Sequence, residues 1–154
     1  MSDAEKRVVV GVDGSPVARR ALEIAAHEAW IRGARLEVVG VWAFPVYVDF
    51  VGGVYPLPGE VGTTIEREEE LLAGEVTAVL GSSAANVTLL TPCGHVAKEL
   101  LAAAEGADLL VVGSRGRGGF RSAVLGSTAN YCAHHATCPV MIVRAQDHEH
   151  HEHH

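Results

Sequence analysis

Short apolar runs alternate with longer helical stretches along most of this chain, and this alternation limits its fold more than any other feature. The first run, residues 8–12, is nearly all β-branched, which is typical of a strand buried on both faces of a parallel sheet. Similar runs follow at residues 36–41, 87–90, 109–112 and 140–143. Because parallel strands need crossover connections, this order predicts a single doubly wound α/β domain, with a five-stranded parallel sheet and helices on both faces.

Local signals mark where the intervening helices begin and end. Ser15 is a natural N-cap, Pro16 suits the first helical turn, and Gly33 lies where a glycine often ends a helix. Further helices are expected from about residue 64, over 95–105 and over 127–135. Residues 44–63 are rich in Gly, Pro and Val and have no period, so we expect a long loop there that serves as a lid or binding segment.

Size, charge and cysteine usage narrow the class of protein. The chain has 154 residues, enough for one domain, and we assign residues 1–146 to it and 147–154 to a disordered His-rich tail. A net charge of −7 argues against nonspecific binding to nucleic acid. The polar start and the lack of a long apolar run predict a cytoplasmic protein without a membrane span. The three cysteines show no metal-site spacing, so we expect neither a disulfide framework nor a structural metal.

Two strand ends carry residues suited to an anionic ligand. Glycines let main-chain N–H groups approach a ligand closely, and a helix that opens with hydroxyl residues presents free amides and a positive dipole end to a phosphate. Three arginines in the loop between, at positions 115, 117 and 121, match phosphate oxygens. The candidate site residues are Asp13, Gly14, Ser15, Gly113, Ser114, Arg115, Gly116, Arg117, Gly126, Ser127 and Thr128. Asp13 either caps the first helix or turn, or meets a nucleotide or Mg²⁺.

The spacing Gly113-x-x-Gly116, nine residues, then Gly126-Ser127 resembles the ATP-binding signature of the universal stress protein family. The opening VVVGVDGS and the closing CPVMIVR extend the resemblance over nearly the whole domain. It implies a Rossmann-like fold of the adenine nucleotide alpha hydrolase-like type, binding ATP with Mg²⁺ as a stress-response switch or sensor. It also implies a homodimer formed through Val140–Val143.

The same resemblance implies a role for each part of the site. Asp13 would lie beside the nucleoside, and main-chain groups near Val41 would meet the adenine edge. Gly113 and Gly116 would line the ribose and phosphate path. Ser127 and Thr128 would bind the terminal phosphates.

Several other nucleotide-binding classes lack their defining residues here. Neither glycine loop carries the lysine of a Walker phosphate loop, and the first strand is followed by GVDGSP, not GxGxxG. A receiver domain needs an aspartate at the end of the third strand, where this chain has Thr91-Pro92. A flavodoxin-like site usually has a cluster of Ser and Thr after the first strand, where this chain has only Ser15. No base can be assigned near Ser127, so we expect slow ATP hydrolysis at most.

Two other classes of function stay open at this stage. The tail DHEHHEHH, residues 147–154, has the composition of a Ni²⁺, Zn²⁺ or Cu²⁺ binding segment, which would make this a metal-handling protein. A purely structural dimerisation module is the other alternative, and it predicts no bound nucleotide.

Overall fold

The computed structural model describes residues 5–43, 46–56, 61–115 and 125–145. The strands in these ranges are β1 (Arg7–Gly11), β2 (Arg35–Val39), β3 (Val46–Val48), β4 (Val54–Pro56), β5 (Thr88–Leu90), β6 (Leu109–Gly113) and β7 (Val140–Val143). The α-helices are α1 (Pro16–Arg32), α2 (Val61–Leu80), α3 (Val96–Ala103) and α4 (Ser127–His135). A 3₁₀ helix, Gly81–Asn86, joins α2 to β5.

Five strands form one parallel sheet in the order β5-β2-β1-β6-β7. From β1 the chain adds β2 and β5 on one side, then crosses over to add β6 and β7 on the other side. The predicted doubly wound α/β fold is therefore confirmed, and the winding reverses between β1 and β6. Ligands of such folds bind at the carboxyl ends of the strands beside this reversal.

Successive residues of β1 face opposite sides of the sheet and enter two separate cores. The core under α1 and α2 contains Val8, Val10, Leu22, Val38 and Leu72. The core under α3 and α4 contains Val9, Leu100, Leu110, Ala129 and Cys132. Each Val or Leu that is fully buried contributes roughly 1.5–3 kcal/mol, so both helical layers are held firmly against the sheet.

The predicted ends of α1 are confirmed by their hydrogen bonds. The Ser15 hydroxyl accepts a hydrogen bond from the N–H of Ala18 at 3.2 Å, and Pro16 is the first helical residue. Gly33 has a left-handed conformation with φ of 63°, which its lack of a Cβ permits, and its N–H bonds to the end of the helix. The local sequence alone was therefore sufficient to predict α1, the helix with which the first crossover starts.

The expectation of an unstructured loop over residues 44–63 was wrong in part. β3 and β4 form an antiparallel hairpin, in which Tyr47 pairs with Tyr55. Asp49 closes the turn, because its carboxylate accepts the N–H groups of Val51 at 3.1 Å and Gly53 at 2.7 Å. The helix expected from residue 64 begins earlier, at Val61. Two three-residue strands are too short to leave a clear periodic pattern.

The other boundaries agree closely with prediction, except that β2 ends at Val39 and α3 at Ala103, each two residues earlier than expected. Cys132 is buried, Cys93 and Cys138 are half-buried, and all three are free thiols. Within the described ranges, no helix combines the length and apolar character of a membrane span.

Candidate functional site

The candidate site lies where the central strands separate at their carboxyl ends. The ladder between β1 and β6 has its last paired residues at Val10 and Val111. Between β1 and β2 the last contact is the N–H of Val12 donating to the C=O of Val39 at 2.9 Å. Beyond these points the strands are no longer paired with each other, so the residues that follow β1 and β6 border an opening at the winding reversal.

Asp13 follows β1 directly and is held in place by the turn into α1. One oxygen of its carboxylate accepts the N–H of Ser15 at 2.9 Å, while Gly14 between them has φ of 84°. That φ lies in the left-handed region, which glycine adopts without a steric penalty. Ser15 is buried, and its hydroxyl caps α1. Because Ser15 is held in this way, its main-chain N–H orients the carboxylate of Asp13.

Val41 presents its main-chain groups to this opening. The N–H groups of its neighbours Gly40 and Trp42 donate to the C=O groups of Leu90 and Pro92, at 2.9 and 3.2 Å, on the β5 side. In an extended chain the polar groups of successive residues alternate between the two sides. The N–H and C=O of Val41 therefore face the β1 side, and among the described residues they have no backbone partner. A donor and an acceptor from one residue form the pattern that reads the edge of a nucleobase.

Trp42 fixes the conformation of this segment. Its indole N–H donates to the C=O of Thr91 at 2.8 Å, and its own C=O accepts the N–H of Gly94 at 2.9 Å. The ring is buried. Trp42 is therefore a packing residue beside Val41, and the sequence analysis had not assigned it to the site.

The residues that follow β6 bring two separate parts of the glycine signature together. The C=O of Ser114 accepts the N–H of Gly126 at 2.7 Å, which closes the intervening loop at its base. At Gly113, an added Cβ would lie 3.1 Å from Cγ1 of Val17 and 3.4 Å from the C=O of Arg115. Contacts this short leave little room for a side chain, so the chain passes close to α1 here.

The start of α4 has the features of an anion site. Gly126 is its N-cap and supplies no side-chain hydrogen bond to the first helical turn. Ser127 is exposed and Thr128 is half-buried, so the hydroxyl residues of the first turn lie at or near the surface. The first N–H groups of a helix lack partners within the helix and carry the positive end of its dipole.

Some of the predicted residues cannot be located. Gly116, Arg117 and Arg121 lie outside the described residues, as does the His-rich tail, residues 147–154. Arg115 is described and half-buried. The structure thus brings together Asp13, Gly113, Ser114 and Gly126 at the strand ends around the winding reversal, with Val41 at the end of the neighbouring strand β2.

Two of the three cysteines have thiols that are poorly suited to act as nucleophiles. Burial raises the pKa of the Cys132 and Cys138 thiols, so both stay protonated at neutral pH. In the described part of the chain, no three His, Cys, Asp or Glu side chains converge as a metal site would require. The arrangement offers main-chain donors, a helix N-terminus and one carboxylate, which suits binding of a nucleotide better than covalent catalysis.

Comparison with known proteins places the chain in a family. The model of the universal stress protein family matches residues 5–144, nearly all of the described structure. This chain belongs to the universal stress protein family.

Curated relatives of two lengths carry the same domain. A universal stress protein of Thermus aquaticus is 37% identical over 141 residues, which cover 90% of this chain and 98% of the relative. One of Mycobacterium tuberculosis is 35% identical over 139 residues, covering 89% of this chain but only 45% of the relative. The chain thus spans about half the length of some relatives that it matches.

Solved structures of low identity share the fold. UspA from Lactobacillus plantarum superimposes with a TM-score of 0.68 at 23% identity, covering 92% of this chain and all of that one. A universal stress protein in complex with cAMP gives a TM-score of 0.62 at 24% identity over 92% of this chain and 98% of its own. One from Archaeoglobus fulgidus in complex with dAMP gives 0.60 at 20% identity over 91% and 98%.

Proposed function

We propose that this protein binds ATP with Mg²⁺ at the carboxyl edge of its sheet and acts as a nucleotide-dependent switch or sensor in a stress response. The observation that carries the proposal is that strands β1 and β6 separate at the winding reversal, between Asp13 and the glycine signature. Two structural neighbours in complex with adenine nucleotides, cAMP and dAMP, support the class of ligand.

The residues present fit an adenine nucleotide part by part. The inward-facing main-chain groups of Val41 suit the base, and the carboxylate of Asp13, which Ser15 holds, suits the hydroxyls of a ribose. Gly113 lets the chain pass close to Val17 of α1, and we assign it to the path of the ribose and phosphates. The first turn of α4, with Ser127 and Thr128, suits the terminal phosphates.

The loop residues complete the proposed site. Arg115, Gly116 and Arg117 follow Ser114 directly in the chain, and we assign them to the phosphates as well. A bound Mg²⁺ would neutralise phosphate charge, and we assign Asp13 as the carboxylate that would hold it. No described residue beside Ser127 is placed to activate water, so we expect occupancy to carry the signal and slow hydrolysis to reset it.

The proposal includes a homodimer formed through β7. β7 is an edge strand of the sheet, and Val140, Met141 and Ile142 are only half-buried. An edge strand with partly exposed apolar side chains readily pairs with a second copy. Light scattering or sedimentation of the purified protein tests this part directly.

The deciding experiment is to purify the protein without added nucleotide, denature it, and identify released small molecules by chromatography and mass. ATP or ADP near one per chain supports the proposal. In the double variant Gly116→Ala with Ser127→Ala, the added Cβ at position 116 should keep the main chain away from the phosphates. The loss of the Ser127 hydroxyl should remove a hydrogen bond to them. Each lost bond to a charged group costs about 1.5–3 kcal/mol, so affinity should fall on the order of a hundredfold.

A matched control uses the same substitutions away from the site. Gly74 lies within α2, where an added Cβ would meet nothing within 4 Å, and Ser82 is exposed in the 3₁₀ helix. Gly74→Ala with Ser82→Ala should therefore keep full binding. Full binding in the Gly116 and Ser127 variant would disprove the site assignment. No released nucleotide and no binding of Mg-ATP would overturn the proposed function and favour a metal-handling tail or a structural module.

A further inference from the structure

Ser114 is the most fully bonded residue at the edge of the candidate site. Its N–H donates to the C=O of Val143 at 2.8 Å, and its C=O accepts the N–H of Gly126 at 2.7 Å. Its hydroxyl accepts the N–H of Ala145 at 3.3 Å. The residue is 7% exposed, so the protein covers it almost completely. Ser114 therefore contacts two segments that are distant in sequence, the start of α4 and the chain at the end of β7.

The three hydrogen bonds of Ser114 differ in whether they need its side chain. The bonds to Val143 and Gly126 use main-chain groups, which any residue at position 114 other than proline would supply. Only the bond to Ala145 needs the side chain. Ala145 lies beyond the last residue of β7, Val143, where the strand ladder no longer supplies a partner for its N–H. The serine hydroxyl at this position thus attaches the chain that follows β7 to the base of the glycine loop.

We infer that Ser114 is a positioning residue that couples the start of α4 to strand β7 and the chain beyond it. This inference rests on the proposed function, in which the first turn of α4 binds the phosphates. A ligand that binds better when Gly126 and Ser127 are held in one arrangement stabilises that arrangement through the C=O of Ser114. The same residue carries the bonds to Val143 and Ala145, so the ligand also stabilises the end of β7.

Coupling of this kind is reciprocal. If nucleotide binding changes the free energy of an arrangement at β7, then anything that binds β7 in that arrangement changes nucleotide affinity by the same factor. Strand β7 is an edge strand, and among the described residues no other strand pairs with its outer side. A partner could therefore bind on that side. Ser114 would thereby link occupancy of the site to the surface that a partner reads.

The first test needs no nucleotide. Hydrogen exchange of the Ala145 amide is measured in the full chain by NMR, in the wild type and in Ser114→Ala. One hydrogen bond is worth about 1 kcal/mol, so its loss should speed exchange on the order of fivefold. Ser114→Thr keeps a hydroxyl and should restore slow exchange. Unchanged exchange in Ser114→Ala, with the fold intact by circular dichroism, would overturn the inference.

The second test asks whether the link carries a signal. Mg-ATP should slow exchange of the amides of residues 143 and 144 in the wild type. Ala145→Pro removes the N–H donor without altering Ser114, and it should weaken this response while the affinity for Mg-ATP stays within about threefold. Because both changes delete the same bond, the double variant Ser114→Ala with Ala145→Pro should show no larger loss of response than either single variant.

The outcomes separate this inference from the proposed function. A wild type that binds no Mg-ATP would disprove the proposed function and the coupling together. The exchange rate of the Ala145 amide would still show whether the Ser114 hydroxyl bonds to it. If the wild type binds Mg-ATP and the response of residues 143 and 144 is unaltered in Ala145→Pro, the coupling alone is overturned. Additive losses in the double variant would show that Ser114 acts by a route other than Ala145.

Discussion

The two ends of the parallel sheet use polar groups in opposite ways. At the amino end, the guanidinium of Arg7 contacts Glu37 at 2.6 Å and the C=O groups of Ala103 and Glu105 at 3.1 and 2.6 Å. The main-chain N–H of Arg7 also donates to Asp108 at 2.8 Å. At the carboxyl end, the main-chain groups of Val41 face an opening instead. Charge at the amino end stabilises the fold, while the polar groups at the carboxyl end are the ones that we propose bind a ligand.

The amino end shows why such a network serves stability. Glu37 lies in the middle of β2, and its side chain is 8% exposed, so its charge needs partners within the protein. Arg7 and Arg35 supply them, at 2.6 and 3.0 Å. The bonds from Arg7 to Ala103 and Glu105 also satisfy carbonyls at the end of α3, where a cation favours the helix dipole. One side chain thus joins β1, β2 and the end of α3.

The largest expected effect comes from breaking this network with Arg7→Met. Removing one partner leaves Glu37 buried with less compensation, and losses of this kind reach about 3 kcal/mol in the free energy of unfolding. Urea unfolding followed by circular dichroism measures it. Nucleotide affinity of the folded fraction should not change, because Arg7 lies at the opposite end of the sheet from the site.

Arg32→Met is the matched control for this variant. Arg32 pairs with Glu28 at 3.2 Å on the surface of α1, and its side chain is 37% exposed. Exposed pairs of this spacing contribute about 0.3–0.5 kcal/mol, so the loss should be several times smaller. Equal losses in the two variants would contradict the structural role of the amino-end network. A fall in nucleotide affinity on Arg7→Met would contradict the division of roles between the two ends.

A smaller effect is expected from Trp42→Phe at the carboxyl end. Phenylalanine keeps most of the ring but loses the indole N–H, which leaves the C=O of Thr91 without that bond. We expect a loss of about 1 kcal/mol in stability and about tenfold in affinity for Mg-ATP, because Val41 is held less firmly. Isothermal titration and urea unfolding measure the two quantities separately.

Trp30→Phe makes the same substitution at a residue that is 80% exposed, so it should change neither quantity. If Trp42→Phe leaves the affinity for adenine nucleotides unaltered, Trp42 does not contribute to the site. An equal loss of affinity for GTP would indicate that Val41 does not discriminate between bases. Either result would weaken the interpretation of the carboxyl end as a base-reading edge.

The sequence predicted the elements whose signals are local. Ser15, Pro16 and Gly33 bracket α1 because capping depends on residues within one helical turn. The predicted limits of α4 and β7 also agree with the structure, since Gly126 precedes the helix and Pro139 the strand. Alternation of strands and helices was sufficient for the fold class, as the sheet order has few alternatives.

What the sequence could not indicate depends on contacts between distant residues. The hydroxyl of Ser114 bonds 31 residues away, to Ala145, and no spacing rule reports such a pair. The same holds for Arg7, whose partners at Glu37 and Glu105 follow only from the fold. The hairpin is different, because Asp49 and Gly53 between two Val-Tyr segments form a turn signal that was overlooked.

The smallest expected effect lies in that hairpin, within the connection that leaves the carboxyl end of β2. The N–H of Gly53 holds the pKa of Asp49 below its usual range, and the hydroxyl of Tyr55 and the N–H of Val51 act in the same direction. A carboxyl whose pKa is lower in the folded state stabilises the turn above its ordinary pKa, near 3.9. That contribution is lost as the pH falls through the lower, folded value.

The hairpin should therefore stay closed at neutral pH and loosen only in strong acid. The amide resonance of Gly53, followed by NMR from pH 6 to pH 2, should titrate with a midpoint below the usual aspartate value. Asp49→Asn should remove the titration. Glu66→Gln, at an exposed position of α2, is a control that should leave the titration unchanged. A Gly53 midpoint at or above the ordinary value would mean that the turn does not depend on the Asp49 charge.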